Sequence, residues 1–313
     1  MQSINPHPIL KFNPDTLVTL RRQYNYEKPG EMDAAIDVLE DWIKKQEHFT
    51  KKEYPREYLE RAIILLKGSV ERAKLQIERI CTMRTLMSKF FEIDMKYLEE
   101  YKDKFTLVML PKMTKDHIRV FTNKMLCPSS ELNQQIFFAF YMLGVLQWEH
   151  LKRNDYCDGV TFCLDYRGIN FIEFMAGINL VDTHHIATIA VEGFCLRIKG
   201  IHILTESNSV NLLVALCRQI FSKKVADRVR VHKSLDSLYE VVPREMLPSD
   251  LGGDEDSSLK LRDEWFKLLK EKDNFNYLKE MCNARTNEAL RQSGKFNEEY
   301  MGMAGSFRSL NVD

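Results

Sequence analysis

The sequence predicts an α/β protein in which a small bundle of helices precedes a domain of alternating strands and helices. Apolar residues recur at helical spacing from Asn13 to about Tyr101, and beyond Tyr101 short strand-like runs alternate with helical ones. Size agrees: 313 residues make about two units at roughly 150 residues each, with a core large enough to need no disulfide staples.

Asn13-Pro14 reads as an N-cap followed by proline at a first helical position, opening DTLVTLRRQYNYE. From Met32 to Lys45, Ala35, Ile36, Leu39, Trp42 and Ile43 share one face. Pro55 starts a further helix carrying Tyr58, Ala62, Ile63, Leu65 and Leu66. Gly68-Ser69 breaks the pattern, and Val70, Ala73, Ile77 and Ile80 restart it. TLVMLP and IRVFTN then flank KMTKDH as two neighbouring strands, a hairpin by spacing. Pro128-Ser129-Ser130 is expected to cap an apolar helix from about Glu131 to Leu151. GVTFCLDY, RIKGIHIL and VRVH read as strands, with helices THHIATIAV (183–191), SVNLLVALCRQIF and SLDSLYEVV between and after them. Short links between such elements mean parallel pairing through crossovers. LPSDLGG ends that domain, and residues 257–313 read as a polar tail that begins with an amphipathic helix.

Composition excludes several function classes. Lys plus Arg and Asp plus Glu each number 45, so no global basic field for nucleic acid exists, although a local patch can. Seven cysteines without a CxxC pair argue against a disulfide framework or a four-cysteine zinc site, and read as thiols of a reducing compartment. The start MQSINPHPILKF has no basic stretch followed by an apolar one, so no signal peptide is expected. The most apolar run, Ile136 to Leu146, is far short of the ~20 residues that span a bilayer. A soluble, cytoplasmic protein is the expectation.

Catalytic signatures are missing as well: no GxSxG, GxxxxGK[ST], GxGxxG after a strand or HExxH occurs. Asp182, His184 and His185 can be drawn as metal ligands, but adjacent helical residues point about 100° apart, which favours a cap aspartate with two surface histidines. Asp165 ends a buried strand, where a lone carboxylate more often holds a loop than acts as a base. Cys81, Cys163, Cys195 and Cys217 read as small core residues, and Gly294-Lys295 has no upstream glycine to make a phosphate loop. No catalytic residue, metal site or cofactor is expected, and the protein is not read as an enzyme.

RIKGIHILTE (197–206), IFSKKVADRVRVH (220–232) and LPSDLGG (247–253), in this order and at this spacing, resemble the CRAL-TRIO lipid-transfer family, which includes α-tocopherol transfer protein and cellular retinaldehyde-binding protein. DGVTFCLDYRG (158–168) is similar to the family's central strand, the upstream helices resemble its N-terminal helical domain, and GSFRSLNVD (305–313) resembles the tail of insect members. The resemblance implies an N-terminal helical domain (1–100), a lipid-binding domain (101–256) with a mixed β-sheet, a hydrophobic cavity for one lipid and a mobile lid helix, and a C-terminal helical, polar tail (257–313).

Carried over by position, the resemblance implies a cavity wall of Ile136, Phe140 and Leu143 on the helix 131–151, and Val160, Phe162 and Leu164 on the central strand. Ile201 and Ile203 on the next strand, Ile178, and Ile186, Ile189 and Ala190 on the helix 182–193 complete it, under a lid at 208–221 carrying Val210, Leu213, Val214 and Cys217. Plain core packing uses the same residue types. Aromatics are numerous in this region: Phe137, Phe138, Phe140, Tyr141, Phe162, Phe171 and Phe174. They suit a polyene, a ring or a long acyl chain equally.

The resemblance further implies a phosphoinositide head-group site of Arg197, Lys199, Lys224 and Arg228. Arg197 and Lys199 share a face if the strand is regular, as do Lys224 and Arg228 if their turn is helical. Two departures stand out: Cys195 replaces a proline usual before the basic strand, and RAIILLKG (61–68) offers only Arg61 and Lys67 where the family carries a basic run. The implied partners are a small hydrophobic lipid (tocopherol, retinoid, carotenoid, sterol-like or phospholipid) and a membrane surface with phosphoinositides, met transiently from the cytoplasm by a monomer that binds no nucleic acid. The rival expectation is a non-catalytic membrane- or protein-docking adaptor with a filled or vestigial cavity.

Overall fold

The structure is a computed structural model, described here for residues 4–291; the segment GSFRSLNVD lies outside the described residues. Helices α1 (Thr16–Gln23), α2 (Glu31–Lys45), α3 (Arg56–Leu65), α4 (Val70–Leu86) and α5 (Met95–Tyr101) form the N-terminal part. Asn13 and Pro14 make the turn ahead of α1, where Thr16 N–H donates to Asn13 O at 3.1 Å. In α2 the buried stripe Met32, Ile36, Leu39 and Ile43 follows the helical repeat. After the Gly68-Ser69 break, Ser69 caps α4 by accepting from Arg72 N–H.

Strands β1 (Phe105–Met113), β2 (Ile118–Met125), β3 (Gly159–Asp165), β4 (Ile198–Leu204) and β5 (Val229–His232) form one sheet in sequence order. β1 and β2 pair antiparallel as a hairpin, and each later strand is parallel to the one before it. The sheet is therefore mixed. Each parallel step needs a helical crossover: α6 (Gln134–Asn154) joins β2 to β3, α7 (Phe171–Gly177) and α8 (Leu180–Thr188) join β3 to β4, and α9 (Asn211–Ile220) with α10 (Lys223–Ala226) joins β4 to β5. A π-turn over Ile189–Gly193 extends α8 and packs on α4, where Gln76 Nε2 donates to Gly193 O at 2.7 Å. No helix among the described residues is long and apolar enough to cross a membrane.

Four elements differ from the sequence reading. The cap position of α1 is Asp15, so Asn13 and Pro14 lie ahead of the helix. The cap of α6 is Asn133, whose side chain accepts from Gln135 and Ile136 N–H, while Ser129–Glu131 forms a separate 3-10 turn. α7 is seven residues long, too short to display a period, and escapes a pattern search. The expected tail begins inside the fold: after α11 (Leu235–Tyr239), α12 (Ser258–Lys270) packs on β1 with Trp265 fully buried, its Nε1 donating to Met109 O at 2.8 Å. α13 (Lys272–Cys282) follows, and Thr50 N–H donates to Arg285 O at 3.0 Å, tying the segment after α13 to the N-terminal part.

Candidate binding cavity and basic patch

A cavity of about 210 Å³ lies between the sheet and the crossover helices. α6 contributes Phe137, Phe140, Tyr141, Gly144 and Trp148, one face at helical spacing. The sheet contributes Leu107, Phe162, Leu164, Ile198 and Ile201. Tyr166, Phe174 and Ile178 follow from the chain after β3, and Thr183, Ile186, Ala187 and Ala190 from α8 and its extension. α9 and the residue after it close the space with Leu213, Leu216, Cys217, Ile220 and Phe221.

Of the residues expected on the wall, Phe140, Phe162, Leu164, Ile178, Ile186, Ala190, Ile201, Leu213 and Cys217 line it. Ile136, Leu143, Val160, Ile189, Ile203 and Val210 are buried elsewhere, and Val214 is half-buried off the cavity. Several of these displacements have a local cause. On α6 nearly every position is buried, so periodicity gives the helix no phase, and the wall is the face one residue on from Ile136 and Leu143. The β3–β4 register shifts between Val160 and Thr161, so that Ile198 and Ile201 share the cavity side. Ile189 belongs to the π-turn that packs on α4. Of the aromatics, Phe138 and Phe171 stay out of the wall.

The lid position is occupied by a 3-10 turn, Asn208–Val210, running into α9. α9 buries only Leu213 and Leu216. Ile172 on α7, Val181 on α8 and Leu212 on α9 are 67%, 62% and 43% exposed, so the helices covering the cavity also show apolar side chains outward.

The basic residues converge by a different geometry from strand alternation. Arg197 precedes β4 and Lys199 occupies the bulge, and both hold Asp158: Arg197 Nη1 donates to Oδ1 and Lys199 Nζ to Oδ2, each at 2.6 Å. Tyr24 Oη donates to the same carboxylate and accepts from Arg197. Gly159 makes the approach possible, since its φ is +143° and a Cβ there would lie 2.4 Å from Arg197 O. Burial alone would raise the Asp158 carboxyl, but hydrogen bonds from Lys199 and Tyr24 and the charge of Arg197 hold it below the usual range. Burial, followed by the bond to Asp158, pushes the Tyr24 phenol up to about 12.

Lys224 on α10 is exposed, and Arg228, beyond α10, donates to Ile198 O. Lys67 joins them from the N-terminal helices. The fields of Arg197 and Lys224, with Arg72 and Lys199 behind them, press its exposed ammonium below the usual lysine range. Lys67 and Gly68 both adopt positive φ at the end of α3, and a Cβ on Gly68 would meet Tyr24 O at 2.9 Å. Tyr26 Oη donates to Gly68 O at 2.7 Å and fixes this turn beside the patch. Arg61 instead donates to Lys152 O. In the slot expected for proline, Cys195 takes φ +52° and its Sγ donates to Glu192 O at 3.3 Å.

Two other candidates have plain partners. Asp165 takes both Arg167 Nε and Nη2 at 2.8 Å and Lys124 Nζ at 3.2 Å, and Asp182 takes Lys89 Nζ at 2.5 Å.

Residues 100–253, which contain the whole sheet and the cavity, match the CRAL/TRIO domain family model. This region of the chain is a CRAL/TRIO domain. Mouse and human alpha-tocopherol transfer protein-like proteins are 24% identical to it over 245 residues, spanning 76% of this chain and 70% of theirs. Among solved structures it is similar to Sfh5, with a TM-score of 0.46 and 10% identity, covering 85% of this chain and all of that one. CRAL/TRIO proteins are a family of lipid-binding transfer proteins. The basic patch straddles the start of the CRAL/TRIO domain: Asp158, Arg197, Lys199, Lys224 and Arg228 lie within it, and Tyr24, Lys67 and Arg72 before it. Phe137, Tyr141 and Phe174 were visible in the sequence as aromatics. By contrast, the pairing of Tyr24 with Asp158 across 134 residues has no local signal.

Proposed function

We propose that this protein carries one hydrophobic lipid in the cavity beneath α9 and exchanges it at membranes, holding a phosphorylated inositol head group at the basic patch. The cavity is the single observation that carries the reading: a space walled by apolar side chains, where burial contributes roughly 25 cal/mol per Å2 of cargo surface before the costs of binding. At about 210 Å³ it is smaller than the ~300–1,000 Å3 of ordinary ligand sites, so a full-length lipid enters as α9 moves outward. Membrane contact favours that open state by binding it better, through Ile172, Val181 and Leu212. On this reading residues 1–100 brace the patch, 101–256 hold the cargo, and the helices after 257 lock the two together.

Arg197, Lys199, Lys224 and Arg228, joined by Lys67, supply the cations for the head group, with arginine forking onto phosphate oxygens. Changing Lys224 and Arg228 to Ala and measuring flotation with phosphoinositide vesicles tests that half. Weaker binding is expected, and unchanged binding removes both residues from the site. The carrier itself is tested by analysing the lipid that accompanies the purified protein. A protein clean of lipid would favour a docking adaptor.

A further inference from the structure

A groove of about 470 Å³ lies between α2 and α4, outside the CRAL/TRIO domain. Trp42 and Lys45 line it from α2, Lys74 and Leu75 from α4, and Leu290 and Arg291 from the last described turn. Leu75 and Leu290 are 48% and 49% exposed, and Val38, one turn before Trp42 on the same face of α2, is 51% exposed. Large apolar side chains gathered along one groove mark a contact surface, unlike single exposed ones scattered over a protein. The chain is pinned at this groove. Arg291 keeps 5% of its side-chain exposure, and donates from Nε to Glu288 Oε2 at 2.7 Å, from Nη2 to Thr82 Oγ1 at 2.8 Å and from Nη1 to Glu78. Glu78 also holds His48 Nε2 at 2.9 Å. On the rim, Lys45 and Glu47 enter no ion pair among the described residues.

We infer that this groove is the docking site of residues 292–313 of the same chain, with Phe296, Tyr300 and Met303 as the apolar contacts. The point at which the described residues stop argues for this occupant. Arg291 is part of the groove wall, so the next residue starts from it. Phe296 is five residues further on, at most about 18 Å of extended chain. So short a tether presents the segment to the groove at an effective concentration in roughly the millimolar range, ahead of a free partner. The sequence fits as well. In QSGKFNEEYMGM (292–303), Phe296, Tyr300 and Met303 stand at i, i+4 and i+7, one face at helical spacing. The charges answer those on the rim: Glu298 and Glu299 suit Lys45, and Lys295 suits Glu47. Docked there, the segment covers Leu75 and Leu290 and adds to the ties between the C-terminal helices and the N-terminal part.

The test is the rate of trypsin cleavage after Lys295 in the full chain, because proteolysis follows the undocked population when docking is fast. Leu75→Glu places a charge in the groove at an exposed position, and Tyr300→Ser removes an apolar contact from the segment. Each is expected to speed that cleavage by roughly tenfold, the scale of one buried apolar side chain. The rate is read against cleavage at Lys260 on α12, which a loosening of the whole fold would raise as well. Equal rates at Lys295 in the wild type and both variants overturn the inference. A rise in only one variant overturns the pairing of this stripe with this groove. Wild-type cleavage at Lys295 that quickens on dilution assigns the groove to a second copy of the chain and overturns it too. If Leu75→Glu does not fold, Leu75→Ser replaces it.

Discussion

Replacing Asp158 by Asn is expected to move membrane binding and fold stability in opposite directions. On the proposed reading the carboxylate competes with the head-group phosphate: it lies 2.6 Å from both Arg197 Nη1 and Lys199 Nζ. A head group binding the same two cations must sit within a few ångströms of it. Two like unit charges ~4 Å apart interact by about 4 kcal/mol at an effective dielectric of ~20. The Arg197 and Lys199 side chains keep 19% and 28% of their exposure, so solvent and salt screen the repulsion. That leaves roughly 1–2 kcal/mol, so Asp158→Asn is expected to tighten binding about five- to thirtyfold. The same change leaves a half-buried arginine without its charged partner and costs roughly 1–3 kcal/mol of stability. Flotation with phosphatidylcholine vesicles, with and without phosphoinositide, reads the first effect, and thermal melts read the second. A folded Asp158→Asn that binds no better than a wild type that does bind would refute the reasoning.

Further expectations concern the cavity, the histidines and the C-terminal helices. A Cβ on Gly144 meets Trp148 and Leu107 at 3.6 and 3.7 Å, ordinary contact, so Gly144→Ala should stabilise α6 by about 0.5–1 kcal/mol in melts and keep lipid uptake. Gly144→Phe should instead fill the cavity and abolish uptake. Burial lowers His7 to about 4 and His202 to about 4 from 6.5, and each is bonded to another histidine, His150 at 2.8 Å and His232 at 3.0 Å. Between those values the unfolded chain binds protons that the folded one refuses, so stability falls as pH drops from about 6.5 toward about 4, and a melting temperature flat across that window would contradict the assignment. Trp265→Ala removes a fully buried side chain that also bonds Met109 O, and should cost roughly 3–5 kcal/mol in urea unfolding.

The elements were legible where the period is clean. The stripe of α2 and the alternation of strand and helix after β2 follow from spacing alone, and they lead to a parallel sheet with one hairpin. The cavity was legible only in part. Phe162 and Leu164 on β3 and Ile186 and Ala190 near α8 keep regular spacing and line it. α6 carries apolar residues all round, so its sequence offers no face to choose, and Ile136 and Leu143 were as good as Phe137 and Gly144. Irregular backbone hides the rest: the bulge at Lys199 and the π-turn at Ile189–Gly193 rotate side chains by steps that no two- or 3.6-residue period contains. The basic residues could be found by resemblance, but not their anion. Asp158 looks like a turn residue in DGVTF until Tyr24 is brought to it from the far end of the chain.

The carrier reading is tested most directly by mass spectrometry of an organic extract from the protein purified out of its native tissue. One lipid at close to one molecule per chain is the predicted result. A folded protein with no lipid above background would contradict it.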